Sequence, residues 1–588
     1  MDVNKYIFSP SLKNFFNDLR HLTLKEINRR IEEVSGIETF FDKAEEWETF
    51  LNKHLLPAKN SIRPAAEYGD FQTPFQLTEQ ILKLLKKKNI RPAILIEPTA
   101  GKGNFILSAL RHMPALQNIY AIEIYKPYIW ESKFKILDYF LQNPRSVYPK
   151  IRFYHADIFQ FDMAFIRKKH RNREILIAGN PPWVTNAALS VMKSSNLPVK
   201  TNYKKMRGID ALTGKGNFDI GEAVTRKMLE NFSGMKGTFA FLIKNSVIKN
   251  IVYEQHGKKY LLSEMEQHNI DAPKEFSAAV KAALFVSKMG KGADDFIDVY
   301  DFYTPGKIKQ YGWVGDKFVA DMQLYGQTRF LEGNFPIEWR QGIKHDAAKI
   351  MELKKINGKY VNKLNREAEL EDGLIYGLIK GSQLKAPEIR KPEKFIIIPQ
   401  KHVGQETAYI QKDFPLTYAY LMENKTFFDR RKSRIYKNKP PFSIFGIGEY
   451  AFKPYKVAIA AMYDDFHFSL VYPYKNKPVM LDDTVYYIGF DTLADAQITR
   501  YLLNTDLTRN FLRSITFPGS KRMVTKDILM RIDLAELTRR IPYEEIQRNV
   551  PGIDRMQWTA FKEKIRRPVI SDIFDVIENS KIKHVNKT

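Results

Sequence analysis

The chain has 588 residues, no cysteine, 93 Lys and Arg against 67 Asp and Glu, and a formal net charge of +26. That length exceeds one ordinary core and predicts two or three domains, while the lack of cysteine excludes disulfides, cysteine-ligated zinc and iron–sulfur clusters, and no metal site is expected. The first residues, MDVNKYIFSP, form no basic-then-apolar leader, no run of eighteen apolar residues occurs, and the basic excess is shared by both halves, so the expectation is a cytoplasmic protein that embraces a polyanion.

Residues 1–60 place Leu22, Leu24, Ile27, Ile31 and Val34 at helical spacing and predict a small helical lead-in. This segment lacks an acidic residue followed by Glu-x-Lys and is too short for a nuclease core, which speaks against a fused N-terminal nuclease. From Arg63 onward strands and helices alternate. The stretch from Tyr68 to Pro74 reads as a turn into a helix with Leu77, Ile81, Leu82 and Leu85 on one face.

Ala93–Glu97 is predicted as a short buried strand, followed by a turn containing Gly101 and Gly103 and then an apolar helix. Gly-x-Gly between strand and helix lets a ligand approach the backbone with a helix N-terminus behind it. The next strand, Ile119–Glu123, ends in an acid where a doubly wound sheet takes the two hydroxyls of a ribose. A third strand from Ile151 ends in Asp157, placed to accept from an adenine amine. Each of these signals is weak alone, and their order makes the set specific.

The fourth apolar run, Ile175–Ala178, breaks into Gly179-Asn180-Pro181-Pro182-Trp183. Two prolines forbid both a longer strand and an immediate helix, so the chain turns rigidly there. Such a turn groups the Asn180 side-chain carbonyl, the Pro181 carbonyl and the flat Trp183 ring. Two acceptors beside an aromatic plate suit an exocyclic amine on a planar heterocycle.

Together, Thr73-Pro74, Glu97-Pro98-x-x-Gly101-x-Gly103-Asn104-Phe105, Glu123, Asp157 and Asn180-Pro181-Pro182-Trp183 resemble the successive motifs of the S-adenosylmethionine-dependent DNA adenine-N6 methyltransferases. Their order is that of the gamma class, and the resemblance covers roughly residues 65–290. It implies an α/β fold with a Rossmann-like methyltransferase sheet, with Thr73, Glu97, Ala100, Gly101, Gly103, Glu123, Asp157 and Asn180 around the cofactor. Asn180, Pro181, Pro182 and Trp183 would carry catalysis, and Phe276 sits where the family places a second aromatic beside the flipped base. The chain departs from the family at Glu97, usually Asp, and at Lys102, usually small.

Gly237–Ile243 is expected to be a buried strand, and it and Phe276–Val286 look like the family's last pair of sheet strands. Between Trp183 and Phe218 a long polar segment carries Lys204, Lys205 and Arg207, suited to phosphates beside a target nucleotide. Gly290–Asp295 reads as a linker. The expected division is therefore a helical segment 1–60, a methyltransferase domain 61–290 and a separate mixed α+β target-recognition domain 296–588. In that last region Arg430, Arg431, Lys432, Arg434 and Lys437, and the turn with Lys521 and Arg522, are candidate contacts to double-stranded DNA. A separate cognate endonuclease or other defence component is a possible partner. Related catalytic turns act on cytosine N4, RNA guanine or protein glutamine, and a silent DNA-specificity subunit is a further alternative.

Overall fold

The structure, a computed structural model, describes residues 9–53, 72–183, 219–258, 260–462, 465–518 and 522–566. It divides into two compact units, Met1–Phe318 and Val319–Thr588.

The first unit is built on a sheet of ten strands: β1 (Ile94–Glu97), β2 (Asn118–Glu123), β3 (Lys150–His155), β4 (Ile175–Gly179), β5 (Gly237–Lys244), β6 (Leu262–Ile270), β7 (Ala282–Met289), β8 (Phe296–Asp301), β9 (Lys307–Val314) and β10 (Lys317–Val319). Their spatial order is β10-β9-β8-β6-β7-β5-β4-β1-β2-β3. Strands β1 to β5 run parallel, and β7 inserts antiparallel between β5 and β6. Strands β1 and β4 are buried at every position, which is why they read as unbroken apolar runs and not as alternating ones. Chain order reverses direction beside β1 and β4, so the loops after these two strands open side by side at the carboxyl edge, where doubly wound sheets bind ligands.

The N-terminal helices Pro10–Asp18, Leu24–Ser35 and Ala44–Lys53 are part of this unit's core rather than a separate lead-in. Phe16, Phe40, Phe41, Trp47 and Phe50 interlock with Trp130 and Phe134 of the helix Lys126–Gln142, with ring centroids 5.0 to 6.5 Å apart. Lys133 of that helix donates to the carbonyls of Thr39 (2.9 Å) and Phe40 (2.7 Å), and burial draws its pKa down to about 8. The helix Phe75–Lys87 buries Leu77, Ile81, Leu82 and Leu85, the face read from the sequence.

Two expectations need correction. Gly290–Asp295 does not leave the sheet for a new unit: β8 pairs parallel with β6 and β9 antiparallel with β8, so the first unit continues to Phe318. Backbone pairing, and not glycine content, decides where the unit ends. Likewise Phe276–Lys281 is not strand, because Pro273 starts the short helix Ala272–Phe276 and Ser277 takes the left-handed region at φ 53°. The partner of β7 on its outer side is β6, whose polar-rich sequence LSEMEQHNI hid it.

The second unit has a five-stranded and a six-stranded mixed sheet, followed by helices from Leu493 to Arg566. Its apolar runs Lys394–Ile397 and Tyr455–Ala460 are central strands, and the fold class is mixed α+β.

Candidate active site

The turn after β1 is shaped by what its glycines exclude. Gly101 and Gly103 have φ of 52° and 74°, a region that L side chains rarely adopt. A Cβ on Gly103 would stand 2.6 Å from Ser132 Oγ, and one on Gly101 would stand 2.8 Å from Gln72 Oε1. Gln72 is also a strut the sequence reading missed, since its Oε1 accepts from Lys102 N at 3.0 Å. Asn104 Nδ2 donates to the Thr73 carbonyl (2.8 Å), so Thr73 is held against the turn through its backbone. The Ala100 amide donates to the Ile122 carbonyl at 2.9 Å. The unusual Lys102 pairs with Glu131 of the helix Lys126–Gln142 at 3.3 Å.

Glu123, at the end of β2, accepts from Gly101 N through Oε2 and from Tyr125 N through Oε1, each at 2.8 Å. Two backbone donors orient the carboxylate, and because each of its oxygens can accept more than one hydrogen bond, a carboxylate so held suits a vicinal diol. Glu97 is different. Its side chain is 2% exposed, and its Oε2 is buried without a hydrogen-bond partner. Burial, reinforced by the nearby Glu123 charge, holds its carboxyl well above the usual range, with the Ile106 amide acting the other way. Asp157 lies two residues beyond β3 and caps its own turn, accepting from Phe159 N at 2.9 Å.

Asn180 to Trp183 follow β4 directly. The step from cofactor loop to turn is short: a Cβ on Gly179 would lie 3.6 Å from Glu97 Cγ. Trp183 is 7% exposed, donates its indole N–H to the Leu242 carbonyl (3.3 Å), and meets Phe276 edge to face at a centroid distance of 4.9 Å. A base sandwiched between the two rings would have to part them. Pro181 and Pro182 lie against Gly221 at the start of the helix Ile220–Phe232, and Asp219, its N-cap, pairs with Lys244 at 2.7 Å. These flanking groups carry no motif of their own.

The structure thus brings Thr73, Glu97, Ala100, Gly101, Gly103, Glu123, Asn180 and Trp183 to one edge of the first unit. Lys204, Lys205, Arg207 and Lys521 lie outside the described residues. In the second unit Arg430, Lys432, Arg434 and Lys437 are exposed, and none forms an ion pair among the described residues. Arg431 is turned inward: its guanidinium donates to the carbonyls of Ser443 (2.6 Å) and His345 (3.3 Å) and stacks over Tyr436 at 3.7 Å. Arg522 pairs with Asp483 at 3.3 Å.

No family model matches the chain. The sequence is 37% identical to the type II methyltransferase M.NspV of Nostoc sp. over 482 residues, covering 82% of this chain and 99% of that one. The chain belongs to the type II methyltransferase family. Among solved structures, it aligns with the type IIL restriction-modification enzyme MmeI in complex with DNA at a TM-score of 0.45 and 13% identity, over 95% of this chain and 76% of that one. The type IIG restriction endonuclease BpuSI gives a TM-score of 0.32 at 13% identity, over 95% and 65%.

The methyl donor is S-adenosylmethionine. The residues present fit it: a glycine turn with no room for a Cβ, a diol acceptor in Glu123, and in Glu97 a buried carboxyl oxygen lacking a donor, beside which a cationic ligand is favoured.

Proposed function

We propose that this type II methyltransferase modifies duplex DNA at one defined sequence, transferring methyl to the N6 amine of an adenine flipped out of the helix. The observation that carries the reading is the placement of Asn180-Pro181-Pro182-Trp183 at the end of β4, adjoining β1 and its glycine turn. The cofactor supplies a methyl group already activated on a sulfonium, so the protein's task is positioning. An adenine amine is a poor nucleophile because its lone pair is delocalised into the ring. Hydrogen bonds from its two N–H groups to Asn180 Oδ1 and the Pro181 carbonyl localise that pair toward the methyl group, and orientation with electrostatics carries most of the rate. Glu123 holds the ribose and Glu97 the cationic end of the donor. Flipping costs a few kcal/mol, and stacking on Trp183 returns ~1–3 kcal/mol.

Adenine is preferred over cytosine because the motif order resembles the gamma class; the turn itself suits either amine. The exposed basic residues Arg430, Lys432, Arg434 and Lys437 support a second unit that grips DNA. Mass spectrometry of nucleosides from cells producing the protein tests the reading. N6-methyladenine above background, absent with Asn180→Ala, is expected. N4-methylcytosine, or methylation only of RNA or protein, would overturn it.

A further inference from the structure

The catalytic turn is braced by groups that no motif marks. Its far end is tied to β5, because the Trp183 indole donates to the Leu242 carbonyl. Its middle rests on the helix Ile220–Phe232. A Cβ on Gly221 would stand 3.1 Å from the Pro182 carbonyl oxygen, 3.1 Å from Asp219 Oδ1 and 3.9 Å from Pro181 Cγ, so this helix presses on the turn as closely as a glycine allows. One side chain joins the two supports. Asp219 Oδ1 accepts from Glu222 N at 3.1 Å and caps the helix, while its Oδ2 accepts from Lys244 Nζ at 2.7 Å, at the end of β5 and two residues beyond Leu242. Both side chains are largely buried, with 11% and 15% exposed, so the pair is only weakly screened by solvent. Behind it, the helix is fixed to its neighbour by Arg226, which is 3% exposed and bridges Glu222 and Glu254.

We propose that Asp219 and Lys244 are positioning residues that set the height of the Asn180–Pro181 acceptors by locking the helix Ile220–Phe232 to β5 across the Asn-Pro-Pro-Trp turn. The proposal rests on the reading of that turn as the methyl-transfer site and deepens it. The pair touches neither cofactor nor target in this scheme. Its loss lets the helix slide by a fraction of an ångström, and an in-line transfer is sensitive to displacements of that size. Cofactor binding is made by the β1 and β2 loops on the other side of β4 and is left alone.

The test is methyl transfer from labelled S-adenosylmethionine to unmethylated plasmid DNA, measured as a single-turnover rate with both saturating, beside calorimetric titration of the cofactor. Asp219→Asn keeps a helix cap, since Asn caps as well as Asp, and removes only the ion pair. It should slow transfer about tenfold or more with cofactor affinity within twofold. Lys244→Met should match it, Lys244→Arg should recover most of the rate, and the double variant Asp219→Asn with Lys244→Met should lose little beyond either single change. Rates within twofold of native in both single variants, a loss confined to cofactor affinity, or additive losses would overturn the proposal. If the native protein methylates DNA and these variants behave as native, only this inference fails. If the native protein methylates no DNA, the functional reading fails and takes the inference with it.

Discussion

Glu97 ends β1 with a carboxyl that is 2% exposed and has one oxygen without a hydrogen-bond partner, so its charge is disfavoured until a cation arrives. Because its pKa is raised on folding, the stability it contributes is fully present below the ordinary glutamate value and is lost as pH rises through the folded one. Glu97→Gln removes that dependence. The cofactor-free variant should therefore unfold at a higher temperature than the native protein near pH 8, with the gap closing as pH falls below about 4.5, yet bind S-adenosylmethionine more weakly. Thermal scans across pH with and without cofactor check both signs, and parallel pH curves for the two proteins would count against a buried, uncompensated carboxyl. The sequence showed an acid at a strand end here; it did not show that one oxygen would lack a donor, because that depends on which backbone amides the fold brings near.

At the scale of the element, the strand β1, its glycine turn and the helix Asn104–His112 act as one piece. Gly103 is the helix N-cap at φ 74° and has Ser132 Oγ where a methyl would go. Gly103→Ala should cost ~1–2 kcal/mol from the backbone conformation alone, with a further penalty for displacing Ser132, and should weaken cofactor binding as the turn shifts. Calorimetric titration and denaturant unfolding read the two effects; an alanine variant with native affinity and stability would show that the turn tolerates a side chain. This element was legible because its signals are local: four apolar residues, two glycines, and an apolar helix. β6 was not legible, since six of the nine residues of LSEMEQHNI are polar and it becomes a strand only because β7 and β8 flank it.

For the whole molecule, the excess of 93 basic over 67 acidic residues points to a bound polyanion but not to the side chains that hold it. Burial separates them. Arg430, Lys432, Arg434 and Lys437 are exposed, whereas Arg431 is spent on the carbonyls of Phe428, His345 and Ser443 and on the Tyr436 ring. Replacing Arg430 and Lys432 by Gln should lower the slope of log affinity for DNA against log salt by about two, one for each phosphate no longer neutralised. Arg431→Gln should instead destabilise the second unit, because it strands the Ser443 and His345 carbonyls. Fluorescence anisotropy over a salt series decides this: an unchanged slope in the double variant returns the cluster to an ordinary solvated surface.

The order of the strand-end acids, the glycine turn and the Asn-Pro-Pro-Trp break was legible in the chain alone, because backbone stiffness, missing Cβ atoms and unbroken apolar runs are properties of neighbouring residues. The resemblance of that order to the DNA adenine methyltransferases is what implied the methyltransferase fold and the donor. Folding had to establish that the N-terminal aromatics Phe16, Phe40 and Trp47 complete the first unit's core, that the sheet runs on past Gly290 to Phe318, that Gln72 props the glycine turn, and that Asp219 meets Lys244 beside Pro182. Each of these joins residues distant in sequence. Such pairings leave no local periodicity to read, since their partners are chosen by packing and by the need to satisfy buried polar groups.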